Sequence, residues 1–122
     1  MKAGCALACL LLAAALPCLA DGAAERGKDV YASECSDCHS VQPQKNKKGP
    51  TLFGIVGRRS ASVPGFRYSD VMRNSGITWT PEQLRRYIAA PKQVIPHDRM
   101  KYDGLSDAGD LDDLMGYLQT LH

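Results

Sequence analysis

Apolar positions along this chain recur at helical spacing in separate runs, with a long unpatterned stretch between them. Residues 24–33 are predicted to form a first helix in which Val30 and Tyr31 mark the apolar stripe. Gly27 lies one turn before Tyr31. It either admits the close approach of another helix or sits in a frayed first turn. From Ser40 to Gly65 no period is visible, and Gly and Pro punctuate the run. So long a loop is unusual inside a compact domain and suggests a segment wrapped around something other than protein. Ser69 is placed to cap a short helix closed by Gly76. Thr80-Pro81-Glu82-Gln83 is a helix start, with Thr80 as cap, Pro81 where its missing N–H does no harm, and Gln83 completing a capping box. Leu84, Tyr87 and Ile88 share a face of that helix until Pro91, and one further turn is expected before Pro96. Ser106 is read as the cap of the last helix, with Asp107 and Asp110 near its positive end. Leu111, Leu114, Met115, Leu118 and Leu121 form its buried stripe. No strand-like alternation accompanies these runs, so the fold class is all-α.

The N-terminus changes the domain count. Met1-Lys2 precedes an almost wholly apolar run from Ala3 to Leu16, broken by Pro17 and followed by Cys18-Leu19-Ala20. This is the layout of a secretory signal peptide cleaved after Ala20, which leaves residues 21–122 as one domain. An uncleaved anchor is the alternative, since about 18 apolar residues just span a bilayer. Of the five cysteines, Cys5, Cys9 and Cys18 lie in the signal, and Cys35 and Cys38 remain. One bridge over so short a gap would close almost no chain entropy, which excludes a disulfide-stapled scaffold. The formal net charge of +2 gives no strongly basic face and argues against nucleic acid as a partner. A domain of about 100 residues has a modest apolar core, to which a large flat cofactor would add much.

The remaining cysteines stand in Cys35-Ser36-Asp37-Cys38-His39. Two thiols separated by two residues at a helix end can reach both vinyl groups on one porphyrin edge, and the following His39 then supplies a proximal imidazole. A thioredoxin-like pair would want a preceding strand and an α/β surround. A zinc site would need two more ligands, and only His97 and His122 are left. The motif is therefore read as the attachment site of one haem c. A thioether as second ligand would close the iron's sixth position and favour electron transfer. Met115 lies in an apolar helical stripe and Met72 on a short helix, where packing is their simpler role. Met100 lies in a non-helical loop between Arg99 and Lys101, an unusual setting for a core methionine. It is the favoured ligand, with His97 as the alternative.

From about Gly27 to Leu118 the chain resembles class I cytochrome c, the group of mitochondrial cytochrome c and its bacterial periplasmic relatives. The matching residues include Gly27, Tyr31, the Cys35–His39 motif, Gly49-Pro50-Thr51-Leu52, Gly54 and Gly57-Arg58. They continue through Pro64-Gly65-Phe66-Arg67-Tyr68-Ser69-Asp70, Gly76-Ile77-Thr78-Trp79, Tyr87, Pro91-Lys92, Ile95-Pro96 and Met100 to Leu114 and Tyr117-Leu118. The resemblance implies three main helices plus short helices and loops wrapped around one covalent haem. It implies that the Pro50 carbonyl accepts from the free ring nitrogen of His39. It also implies that Arg58, Tyr68 and Trp79 hold the haem propionates, and that the Tyr87 hydroxyl lies near the Met100 sulfur. Gly27 and Tyr31 should cross the last helix at Leu114 and Tyr117.

Three positions depart from the family pattern. Met72 stands where an Asn usually joins an internal water network, which a thioether cannot donate to. Asp98 stands where a hydroxyl residue often meets a propionate, so it is expected to turn outward or to keep its proton. Glu34 replaces a frequent basic residue and weakens the positive ring that docks acidic partners. Lys45, Lys47, Lys48, Arg58, Arg59, Lys92, Arg99 and Lys101 remain for that ring, opposite acidic Asp107, Asp110, Asp112 and Asp113. The expectation is a monomeric one-electron carrier, exported to the periplasm, serving redox proteins such as respiratory or photosynthetic complexes, an oxidase or a reductase. A ligand sensor or peroxidase-like enzyme with a labile sixth ligand is the competing class.

Overall fold

A computed structural model describes residues 19–122, with side chains from residue 22; the expected signal segment before Leu19 lies outside the described residues. Among the described residues five helices occur in order: α1 Leu19–Glu34, α2 Asp70–Arg73, α3 Pro81–Ala89, α4 Pro91–Val94 and α5 Ala108–Leu118. Among the described residues the only β pairing is an isolated antiparallel bridge between Arg59 and Thr78. The all-α reading stands.

The frame is the crossing of α1 on α5. A Cβ on Gly27 would fall 1.9 Å from the Asp113 carbonyl oxygen and 2.7 Å from Tyr117 Cβ. Only a bare Cα permits this approach, so close packing, not fraying, explains the glycine. Around it the Tyr31 and Tyr117 rings meet at 5.7 Å, and Arg26 forks onto Asp113 with bonds of 2.8 and 3.0 Å. The chain is already helical at Leu19, five residues before the expected 24, and the expected cleavage after Ala20 falls within α1. Ala23, which showed no apolar stripe in sequence, packs against Gly116 on α5, where an added Cβ would stand 3.4 Å away.

The cap residues of α2 and α3 act as the sequence predicts, but the capping box at α3 is not completed by Gln83, because the Thr80 N–H donates to the Thr78 carbonyl at 2.8 Å. Thr80 Oγ1 accepts from the Gln83 N–H at 3.2 Å with Pro81 in the first turn of α3, and Ser69 Oγ accepts from the Met72 N–H at 3.1 Å at the head of α2. The last helix corrects the sequence reading. Its cap is Asp107, not Ser106, and Asp107 Oδ1 accepts from the Asp110 N–H at 2.8 Å. An aspartate there adds charge at the dipole's positive end to the acceptor that serine would offer.

Leu111, Leu114, Met115 and Leu118 of α5 are buried with Leu84, Ile95 and Leu105, whereas Leu121 is only half-buried. The long loop after the cysteine motif is given shape by two buried hydroxyl residues. Ser40 Oγ donates to the Lys45 carbonyl at 2.5 Å, and Thr51 Oγ1 donates to the Gln42 carbonyl at 2.6 Å. Its far end is tied to the C-terminus by the Gly54 N–H on the Leu121 carbonyl at 2.6 Å.

Candidate functional site

The cysteine motif is a tight turn that continues α1. The N–H groups of Cys35 and Ser36 both donate to the Tyr31 carbonyl, at 2.9 and 3.0 Å, and the His39 N–H donates to the Cys35 carbonyl at 2.9 Å. The Tyr31 hydroxyl donates to the His39 carbonyl at 2.7 Å. Both thiols are free; Cys35 is half-buried and Cys38 exposed. Burial, with Glu34 and Cys38 nearby, pushes the Cys35 thiol up to about 11.

His39 Nδ1 stands 2.7 Å from the Pro50 carbonyl oxygen. A carbonyl only accepts, so Nδ1 carries the proton. Burial lowers the His39 pKa against the opposing pull of that hydrogen bond, with Arg58 and Lys47 adding to the lowering. The neutral ring then holds its lone pair on Nε2. Gly49 forms the floor beneath it, because a Cβ there would fall 2.3 Å from His39 Cε1.

A run of contacts leads from this ring to Met100. Thr51, next to Pro50, accepts at its carbonyl from Arg58 Nη1 at 2.9 Å. The Arg58 carbonyl accepts from the Trp79 N–H at 2.8 Å. The Trp79 and Tyr87 rings lie 4.9 Å apart. Tyr87 Oη stands 3.7 Å from Met100 Sδ. Met100 is half-buried, whereas Met72 and Met115 are buried in the core. His97 is exposed, with φ 65°, a left-handed backbone that a side chain adopts at a cost of about 1–2 kcal/mol.

Arg58 and Tyr68 keep polar capacity in hand. The half-buried guanidinium donates to the Thr51 and Phe53 carbonyls, which uses two of its five N–H donors and leaves its charge without an anion in those bonds. It borders a cleft of about 460 Å³ walled by Thr51, Phe53, Ser62, Val63 and Pro64. The Tyr68 hydroxyl accepts from the Val63 N–H at 3.1 Å, a bond that does not use its own proton. Burial raises the Tyr68 pKa, and that hydrogen bond and Arg58 pull it back.

Sequence reasoning did not foresee the setting of Asp98. It does not turn outward. Oδ1 accepts from Ser69 Oγ at 2.5 Å and Oδ2 accepts from Tyr87 Oη at 2.8 Å. Burial raises the Tyr87 pKa well above the ordinary phenol value, and the bond to Asp98 adds to it. Glu34 is also engaged, accepting from the Tyr102 hydroxyl at 2.8 Å. No local signal marks any of the three bonds, since the partners lie 29, 11 and 68 residues apart.

These residues fit a haem. A free imidazole lone pair stands over a glycine floor, two thiols sit on one turn, a partly unpaired cation lies at depth, and half-buried Leu52, Val56, Phe66 and Met100 supply apolar wall.

A sequence model of the family described as "Cytochrome c" matches residues 24–122. The chain is 42% identical to cytochrome c type-1 of Ascaris suum over 85% of its length and 93% of that protein's. It is 44% identical to cytochrome c2 of Blastochloris viridis, over 93% and 88%. Among solved structures it is similar to cytochrome cH from Methylobacterium extorquens, with TM-score 0.74 and 37% identity over 80% of this chain and 97% of that one. Sequence and fold agree throughout: the chain belongs to the cytochrome c family, binds one covalently attached haem c, and is an electron carrier, not an enzyme.

Proposed function

We propose that the chain is an exported, monomeric shuttle that moves single electrons between redox proteins with its haem iron held by His39 and Met100. The observation that carries this reading is the His39–Pro50 hydrogen bond of 2.7 Å, which leaves Nε2 free to ligate and fixes the ring's orientation. Cys35 and Cys38 provide the thioether attachments. Arg58, Tyr68 and Trp79 hold the propionates, Arg58 by charge and Tyr68 by the hydroxyl proton it has to give. When bound, the haem supplies one-electron iron chemistry. Tyr87 braces the sulfur side of the site, with its ring against Trp79 and its oxygen 3.7 Å from Met100 Sδ. A sixth position filled by protein excludes small ligands, which favours a carrier over a sensor or a peroxidase.

Among the described residues no helix is long and apolar enough to cross a membrane. Residues 1–20 have the signal-peptide layout, and this supports delivery to the periplasm. There the partners are respiratory or photosynthetic complexes, an oxidase or a reductase.

An optical redox titration of the holoprotein tests the site. The ferric protein is expected to be low-spin with a weak near-red sulfur-to-iron band, and Met100→Ala is expected to lose that band and bind CO quickly when reduced. A high-spin ferric spectrum and rapid CO binding in the parent would overturn the reading.

A further inference from the structure

The Tyr87 hydroxyl has one proton and two acceptors within reach. Asp98 Oδ2 lies at 2.8 Å and Met100 Sδ at 3.7 Å. A thioether is a weak acceptor, whereas a carboxylate oxygen at the first distance makes one of the stronger hydrogen bonds a phenol can form. The proton therefore points to Asp98, and the tyrosine oxygen turns a lone pair toward the sulfur.

Asp98 is not free to release that proton by swinging away. Its other oxygen accepts from Ser69 Oγ at 2.5 Å, and Ser69 Oγ is itself held by the Met72 N–H as the cap of α2. The carboxylate is thus pinned between the head of α2 and the Tyr87 face of α3. It lies on the short segment that runs from Ile95 through left-handed His97 to Met100.

We propose that Asp98 is a positioning residue that keeps the Tyr87 proton off the Met100 sulfur, so that the thioether meets the iron with its electron pairs unshared. The inference rests on the His/Met reading above. A sulfur free of a hydrogen bond is the better donor to ferric iron, so the arrangement firms the ferric ligand and favours the oxidised state.

The test uses the holoprotein and reads the sulfur directly, through the near-red sulfur-to-iron band of the ferric state. Tyr87→Phe is expected to leave the band where it stands in the parent, because no proton is withdrawn from the sulfur. Asp98→Ala frees that proton and is expected to shift the band, and adding Tyr87→Phe to Asp98→Ala should return it. Asp98→Asn, which keeps an oxygen for Tyr87, should stay close to the parent. In case Asp98→Ala does not fold, the Tyr87 hydroxyl proton in the diamagnetic ferrous protein gives a second readout. Its NMR signal should lie far downfield in the parent and move upfield in Asp98→Asn, where a neutral amide accepts. A band that shifts in Tyr87→Phe alone, or a hydroxyl signal indifferent to Asp98→Asn, overturns the inference and leaves His/Met ligation intact. A parent ferric spectrum without any sulfur band overturns the reading itself, and the inference with it.

Discussion

At the residue scale the site depends on how little room surrounds His39. Its ring lies against Gly49 so closely that a Cβ would stand within 2.3–2.8 Å of three ring atoms. Gly49→Ala must therefore move either the ring or the chain that carries the Pro50 carbonyl. Overpacking of this kind costs about 1–3 kcal/mol. The substitution is expected to lower the urea midpoint of the holoprotein by the corresponding amount and to introduce high-spin character into the ferric spectrum, as the 2.7 Å bond to Pro50 is lost. An unchanged midpoint and spectrum would show that the ring does not rest on Gly49. The cysteine motif that leads to His39 is legible in sequence because its chemistry lies in its spacing. The Pro50 bond was expected only through family resemblance, since nothing local says which carbonyl an imidazole will find. The outward placement expected for Asp98 failed for a related reason. A carboxylate turns inward only where donors await it, and Ser69 and Tyr87 are brought there by the fold.

At the scale of elements, the crossing of α1 on α5 sets two effects of known size against each other. Replacing a helical glycine with alanine ordinarily gains about 1 kcal/mol. At Gly27 the new methyl would meet the Asp113 backbone at 1.9 Å, and backbone cannot step aside as a flexible side chain can. The clash, about 1–3 kcal/mol for an overpacked contact, outweighs the propensity. Gly27→Ala is expected to destabilise the holoprotein in urea denaturation, while Gly22→Ala, facing only the flexible Arg26 side chain, should not. The same crossing contains the Arg26–Asp113 pair. Hydrogen bonding to Arg26 holds the Asp113 carboxyl below its ordinary value. A carboxyl depressed in the folded state stabilises above its unfolded pKa of about 4 and loses that contribution as pH falls through the folded value. A double-mutant cycle of Arg26→Gln with Asp113→Asn should show coupling at neutral pH that is lost as pH falls through the depressed Asp113 value, below the ordinary carboxylate range; coupling that persists once the carboxyl is protonated would mean the pair is not ionic. Caps at Ser69 and Thr80 were legible because a cap is a four-residue affair. The start of α1 was not, because Ala23 finds its partner, Gly116, on another helix.

At the scale of the whole molecule, the structure sharpens which of the charges named from sequence are available. On α5, Asp112 pairs with Arg85 and Asp113 with Arg26, so half of the acidic group named from sequence is already matched. Of the basic set, Lys92 is engaged by Asp103 at 2.5 Å and Arg58 turns inward. Lys45, Lys48, Arg59, Arg99 and Lys101 remain exposed, on the loop after His39 and around Met100. These belong to the segments that carry His39 and Met100, whereas Glu34, tied to Tyr102, adds one negative charge just before the cysteine motif. Such a field acts on encounter more than on the final complex, because exposed charges are screened beyond about 10 Å at ordinary salt yet still bias approach. The second-order rate of electron transfer to an acidic redox protein should therefore fall as salt rises. Reversing one charge in Lys48→Glu or Lys101→Glu should slow it several-fold at low salt and flatten the salt dependence, with the optical midpoint potential little changed. Asp110→Asn serves as the control, since its exposed carboxylate belongs to α5 and not to the loops that carry those cations, and it should leave the rate near that of the parent. Stopped-flow kinetics at several ionic strengths decides the matter. A rise in rate in Asp110→Asn that matches, in proportion to charge, the fall in Lys48→Glu would mean that only net charge matters and that the exposed cations around His39 and Met100 do not steer.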